Sequence, residues 1–232
     1  MIEFTMKLKK GLGMLNKLFK NKKTRYRNLI LVLLPFVILM FIFGFTAFKS
    51  AKNISGVPGE NAFSDSIDSM DYHLRSNATA YQKELFKELN QSIKDGDKVE
   101  IAKKVVQNFV ADFYTWTNKS GTYDIGGMYY VYSPGKGSIY YEARDGFYKY
   151  LSNYIEEYGQ ENLLEVESME IVGGYLKQTE IDGINYDLYT YLVNWEYKEN
   201  SKFDTSDFVS EAYFNVIENQ DGRFEIIESF GE

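Results

Sequence analysis

The sequence predicts an α+β domain carried behind a single N-terminal transmembrane helix, and three observations point there. Residues 29–48, LILVLLPFVILMFIFGFTAF, run for twenty positions without a charge. At 1.5 Å of rise per residue such a helix is about 30 Å long, the hydrocarbon thickness of a bilayer. Residues 64–158 then carry mainly helical periodicity, and residues 163–230 read as four strands rich in β-branched and aromatic residues. Helices gathered ahead of an antiparallel sheet define the α+β class.

Charge gives the span a direction. The first 28 residues hold nine lysines and arginines against Glu3 alone, a balance of +8, whereas residues 49–232 hold 17 basic and 32 acidic groups, a balance of −15. Short basic flanks stay in the cytoplasm, so the expected location is the cell membrane, single-pass, with the N-terminus cytoplasmic and the C-terminal domain outside. The acidic balance argues against direct nucleic-acid binding by the exported domain. A cleaved signal fits less well, because an apolar signal core is usually about 7–15 residues. Cuts after Ala51 or Ala47 would also place Lys49 or Phe45 two residues upstream. There is no cysteine, hence no disulfide and no lipidated thiol, which suits the surface of a Gram-positive cell.

The expected organisation is a basic cytoplasmic tail (1–28), the transmembrane helix (29–48), a linker and amphipathic helical stalk (49–96) and an extracytoplasmic α+β domain (97–232). In the tail, Leu8, Leu12, Leu15 and Phe19 recur at helical spacing among lysines. That is the pattern of a helix lying on an anionic membrane, and equally of a flank that sets orientation. Pro35 and Gly44 interrupt the span without adding charge. No boundary of a type IV pilin precedes it.

From Ser64 the residues Ile67, Met70, Leu74, Tyr81, Leu85, Leu89 and Ile93 predict one or two amphipathic helices, stopped by Asp95-Gly96. His73, the sole histidine, lacks ligand-spaced neighbours and reads as a surface residue. Asp97, with Glu100 three residues on, opens a second helix whose core face is Val99, Ala102, Val106, Phe109, Val110, Phe113 and Trp116. A short strand over 128–132, a turn at Ser133-Pro134-Gly135 and a helix over 142–158 follow. Strands are expected over 163–177, 184–197, 208–217 and 224–230. Asp182-Gly183 and Asp221-Gly222 favour hairpins, and Gly173-Gly174 favours a bulge. A curled antiparallel sheet packed on one long helix is the result.

No catalytic, cofactor-binding or metal-binding residue is assigned. The chain has no cysteine nucleophile, phosphate loop, paired-histidine zinc motif or calcium loop, and Gly126-Gly127 and Gly135-Lys136-Gly137 read as turns. Asp112 and Asp124 have acid–base potential only if a pocket encloses them. Tyrosines crowd 129–154, at positions 129, 130, 132, 140, 141, 148, 150 and 154. They fit a protein-binding face, since tyrosine buries much area at small entropic cost, and they fit ordinary core and strand positions as well.

The layout, with the run Val105-Val106-Gln107-Asn108-Phe109-Val110-Ala111-Asp112-Phe113-Tyr114-Thr115-Trp116 and the late strands over 186–197 and 208–217, resembles the membrane-anchored component of type IV secretion and conjugation systems. It resembles in particular the Gram-positive, TcpC-type conjugal transfer proteins. The Asn-Pro-x-Gly turn of Gram-negative members has no match. The resemblance implies a cone-shaped, nuclear transport factor two-like (cystatin-like) exported domain. It also implies a non-enzymatic assembly role, self-association into a homo-oligomer, and contacts with other secretion-channel subunits. Two other readings stay open: an extracytoplasmic sensor or ligand-binding domain with a cone-shaped pocket, and an isomerase-like enzyme with an Asp or His in that pocket.

Overall fold

The computed structural model describes residues 63–230, so the predicted tail, span and linker lie outside the described residues. Strands β1 (Phe63–Ile67) and β2 (Tyr72–Arg75) form an antiparallel hairpin closed by a 3₁₀ turn, Asp68–Met70, and by Asp71 at φ 51°. Here the expectation of a helix from Ser64 fails. Ile67, Met70 and Leu74 do recur at helical spacing, but Tyr72 and Leu74 also alternate about half-buried His73, and that two-residue period governs.

Helix α1 (Ala80–Asp95) begins at Thr79, whose hydroxyl accepts from the Gln82 N–H at 3.2 Å while the Gln82 side chain accepts from the Thr79 N–H at 3.0 Å. It ends at Gly96, φ 74°. Helix α2 (Lys98–Phe113) follows, capped by the Asp97 carboxylate, which accepts from the Val99 and Glu100 N–H groups. Glu100 turns to Lys103 and Lys104. The reciprocal cap expected at Asp97 is thus found one helix earlier.

The two helices form an antiparallel pair. Asn108 Nδ2 donates to the Leu85 carbonyl at 3.0 Å and Gln82 Nε2 to the Ala111 carbonyl at 2.8 Å. Leu85, Phe86 and Leu89 are buried, so α1 packs on the domain along its apolar face. On the predicted face of α2, Ala102, Val106, Phe109, Val110 and Phe113 are buried; Val99, in the first turn, is 53% exposed.

The sheet is an antiparallel meander of β3 (Val166–Ile181), β4 (Ile184–Tyr197), β5 (Glu211–Glu218) and β6 (Phe224–Phe230), in that spatial order. Asp182 and Gly183 both take positive φ, 52° and 79°, as a two-residue hairpin turn of matching twist requires. In β3, Ile171 pairs with Val193 and Gly173 with Leu192, which leaves Val172 as the extra residue of a bulge. Tyr191 and Phe214 bring the sheet onto α2: the Tyr191 hydroxyl donates to the Val99 carbonyl at 2.9 Å, and Phe214 meets Phe109 edge-on at 5.8 Å.

Between α2 and the sheet, the expected strand over 128–132 is a 3₁₀ turn, Met128–Tyr130, followed by one parallel bridge from Val131 to Ile226. The expected helix over 142–158 is two, α3 (Lys136–Asp145) and α4 (Leu151–Tyr158), separated where Gly146 takes φ −108°, ψ −101°. Trp116 packs against Phe147, Tyr154 and Phe208 at centroid distances of 4.7, 5.8 and 5.2 Å. That cluster joins α4 and the segment after β4 to the end of α2.

The expected fold class therefore needs correction. Among the described residues no helix is long and apolar enough to cross a membrane. The longest, α1 and α2, have 16 residues each and keep one charged face. Residues 29–48 lie outside the described part. In place of a cone built on one long helix behind a span, the described chain is an α+β domain with a four-stranded antiparallel sheet, four α-helices and a separate two-stranded hairpin.

Candidate functional site

Four charged side chains from three segments converge where α2 gives way to the loop 114–130. Arg75 ends β2, Asp112 lies in the last turn of α2, and Lys119 and Asp124 come from the loop. Arg75 Nε is 3.2 Å from Asp112 Oδ1, and Lys119 Nζ is 2.9 Å from the same oxygen. The Arg75 guanidinium also grips Asp124. The other Asp112 oxygen accepts the Gly127 N–H at 2.6 Å, and Asp124 accepts the Ser120 N–H and hydroxyl at 2.9 and 3.0 Å. Lys119 donates in addition to Asn118 Oδ1 at 2.5 Å.

Two glycines make this approach possible. A Cβ on Gly126 would collide with the Asp112 carbonyl, and one on Gly127, at φ 74°, would lie 2.6 Å from the Phe109 ring. The Tyr148 hydroxyl closes the arrangement from α3's end of the domain, donating to the Phe113 carbonyl at 2.5 Å and accepting the Gly126 N–H at 3.1 Å.

Burial acts against every charge in this group, and the partners decide the balance. For Asp112, burial alone would raise the carboxyl, but Lys119, Arg75 and the Gly127 N–H outweigh it and hold the group below the ordinary value of 3.8. Asp124 is likewise held low: burial opposes ionisation, and Arg75 overcomes it. Lys119, with no exposed side-chain surface, is pushed down to about 8 by burial, against the attraction of Asp112. Two carboxylates kept ionised, with their oxygens occupied, are poor proton donors near neutral pH. What the group does well is to fix the loop to both α2 and the β1–β2 hairpin.

A second ionic set lies at the β5–β6 end. Arg223 reaches Asp71 at 3.4 Å, the Tyr129 carbonyl, and the ring of Tyr72 at 5.0 Å. Glu225, 2% exposed, is raised by burial despite Arg223 and a hydrogen bond from Asn219 at 3.0 Å. Nearby His73 is half-buried, its ring 4.7 Å from Phe63 and 4.6 Å from Tyr129 and its Nε2 2.9 Å from the exposed Asp71. Among the described residues, no three His, Asp or Glu side chains are grouped to hold a metal ion.

The loop fixed by Asp124 presents Tyr123, which is 66% exposed, beside Tyr141 at 57% and Tyr150 at 54%. The Arg144 guanidinium lies 4.8 Å from the Tyr141 ring and 6.0 Å from that of Tyr123. The Tyr140 hydroxyl donates to the Tyr123 carbonyl at 3.1 Å, and Lys149 covers Tyr150 at 5.1 Å. The predicted tyrosine crowd thus divides. Tyr130 and Tyr148 are core, whereas Tyr140, Tyr141 and Tyr150 form an outer surface with Tyr123.

Sequence reasoning named Asp112 and Asp124, which the structure brings together on Arg75. It missed Arg75, Lys119 and Tyr123. Arg75 and Lys119 stand 37 and 7 positions from their shared partner Asp112, on opposite sides of it and outside its helix, which leaves no periodic signal, and Tyr123 stands ahead of the crowd that drew notice. No protein-family model, curated protein or solved structure matches the chain.

Proposed function

We propose that the chain is a structural assembly subunit of a conjugative DNA-transfer, type IV secretion channel, working through protein–protein contacts outside the membrane. The observation that carries this reading is the surface formed by exposed Tyr123, on a loop locked from below by ion pairs, and by Tyr141 and Arg144 of α3 beside it. Rigid aromatic and arginine side chains are the residues that dominate binding at protein interfaces. Here their backbone is already fixed, by the ion pairs beneath Tyr123 and by α3 beneath Tyr141 and Arg144, which lowers the entropic cost of association.

Placement at the membrane is supported by the uncharged residues 29–48 and their asymmetric flanks, +8 before and −15 after. The partners in this reading are other channel subunits and further copies of the chain, with no role for direct DNA binding by the acidic domain. It assigns no catalytic residue and no cofactor. The resemblance of the α2 run and the late strands to conjugal transfer proteins supplies the particular machine. Deleting the gene from a donor that carries the rest of a conjugation operon tests it. Transfer should collapse and return on complementation; unchanged transfer would refute the assignment.

A further inference from the structure

The two edges of the sheet are treated differently. Outside β6, Val131 bridges Ile226 and the Tyr132 N–H donates to the Ile226 carbonyl at 2.9 Å, so that edge is partly covered. Outside β3, no strand is paired among the described residues. Helix α1 reaches β3 near Met169, where Tyr81 hydrogen-bonds the backbone. Beyond that point the edge carries Val172, Tyr175 and Leu176, all more than half exposed, and it has no proline. Long apolar edges of this kind invite another strand, and proteins that remain monomeric normally block them.

We infer that β3 pairs antiparallel with β3 of a second copy about a two-fold axis at Gly174. The bulge makes the register specific. Positions 170 and 177 are seven apart, which in a regular strand would place them on opposite faces. The extra residue, Val172, brings them to one face: Glu170, Gly173, Tyr175 and Lys177 stand opposite Asn194, Leu192, Thr190 and Leu188 of β4. Ile171, Gly174 and Leu176 share the other face, opposite Val193, Tyr191 and Tyr189.

With the axis at Gly174, Glu170 lies across from the partner's Lys177, twice in the dimer by symmetry. Ile171 lies across from the partner's Leu176, and Gly173 from the partner's Tyr175. Every pair joins residues of the same face, as antiparallel pairing requires. Moving the axis by one residue either way removes both ion pairs. Among the described residues neither Glu170 nor Lys177 has another ion-pair partner.

The two glycines support the same arrangement for different reasons. Gly174 is explained within one chain, because a Cβ there would lie 2.8 Å from the Tyr191 ring. Gly173 is not, since a Cβ there meets nothing within 4 Å and its φ is not positive. A neighbouring Tyr175 ring lying across the bare backbone gives Gly173 a role, as cross-strand aromatics shield edge glycines.

This inference does not depend on the conjugation reading, and its test has no transfer step. The chain lacks cysteine, so the Glu170→Cys, Lys177→Cys double variant of the full chain, in detergent, is free of competing thiols. Mild oxidation should convert it to a covalent dimer. Either single variant should stay uncrosslinked, because like positions would lie about 20 Å apart across the two-fold. By sedimentation, Lys177→Glu should weaken self-association of the uncrosslinked chain about tenfold, and adding Glu170→Lys should restore it. A double-cysteine variant that stays monomeric while both thiols react with maleimide overturns the inference, whatever else occupies the edge. So does equal crosslinking by Glu170→Cys alone.

Discussion

Lys119 Nζ lies 2.9 Å from Asp112 Oδ1, with none of the lysine side chain exposed to solvent. A lysine buried this completely is tolerated because its charge is matched at once by the last turn of α2. Arg75 and Asp124 extend the pair to two charges of each sign. The hairpin, the helix end and the loop bearing Tyr123 are thereby held as one piece.

Removing one member leaves the others uncompensated. Asp112→Ala should lower unfolding stability by about 3–5 kcal/mol, the usual cost of breaking a buried pair from one side. Lys119→Met, which keeps the packing and leaves Asp112 its arginine, should cost clearly less. Urea midpoints for the two variants give the comparison, and equal losses would contradict the assigned geometry.

The same carboxylates set the acid limb of stability. Asp112 and Asp124 have folded-state values below the ordinary 3.8. Their contribution is complete above that value and is lost as pH falls through it to the depressed folded values. Lys119 gives a slope of the same sign at high pH: the unfolded chain holds more protons between about 8 and the ordinary 10.5, so its contribution rises with pH across that window. Unfolding midpoints across pH should show a steep acid loss that Asp112→Asn flattens.

Gly126→Ala and Gly127→Ala should each destabilise by about 2 kcal/mol or more, since one meets the Asp112 carbonyl and the other combines positive φ with the Phe109 ring. Gly135→Ala, with nothing within 4 Å, should stay within about 0.5 kcal/mol. Thermal unfolding of the three variants is sufficient to rank them.

Thr79→Ala should cost about 1 kcal/mol, because it removes the side-chain acceptor for the Gln82 N–H. Amide exchange should show the loss concentrated in the first turn of α1.

How far the sequence foretold this domain depended on the length of each signal. Helix α2 and strands β4 and β6 carry long periods with turn residues at both ends, and the expected β4 and β6 spans coincide with those observed. The β1–β2 hairpin did not announce itself, because four residues of alternation at Tyr72–Arg75 were outweighed by apolar residues that also fit a helix. Gly146 gave no warning of the break between α3 and α4, since a single glycine is tolerated inside many helices. For the site, Asp112 and Asp124 were visible as candidate carboxylates. Their meaning was set by Arg75 and Lys119, and only the tertiary fold brings those four together.

Conjugative transfer by a deletion strain complemented with the Tyr123→Ala, Tyr141→Ala, Arg144→Ala variant is the most direct test of the central claim. Tyr123 and Tyr141 are more than half exposed, and partly buried Arg144 pairs with the exposed Asp145, so the variant should accumulate and unfold like the parent. Transfer is predicted to fall at least tenfold below that of the strain complemented with the unaltered gene. Full transfer by a donor making only the variant would contradict a role for this surface in assembly.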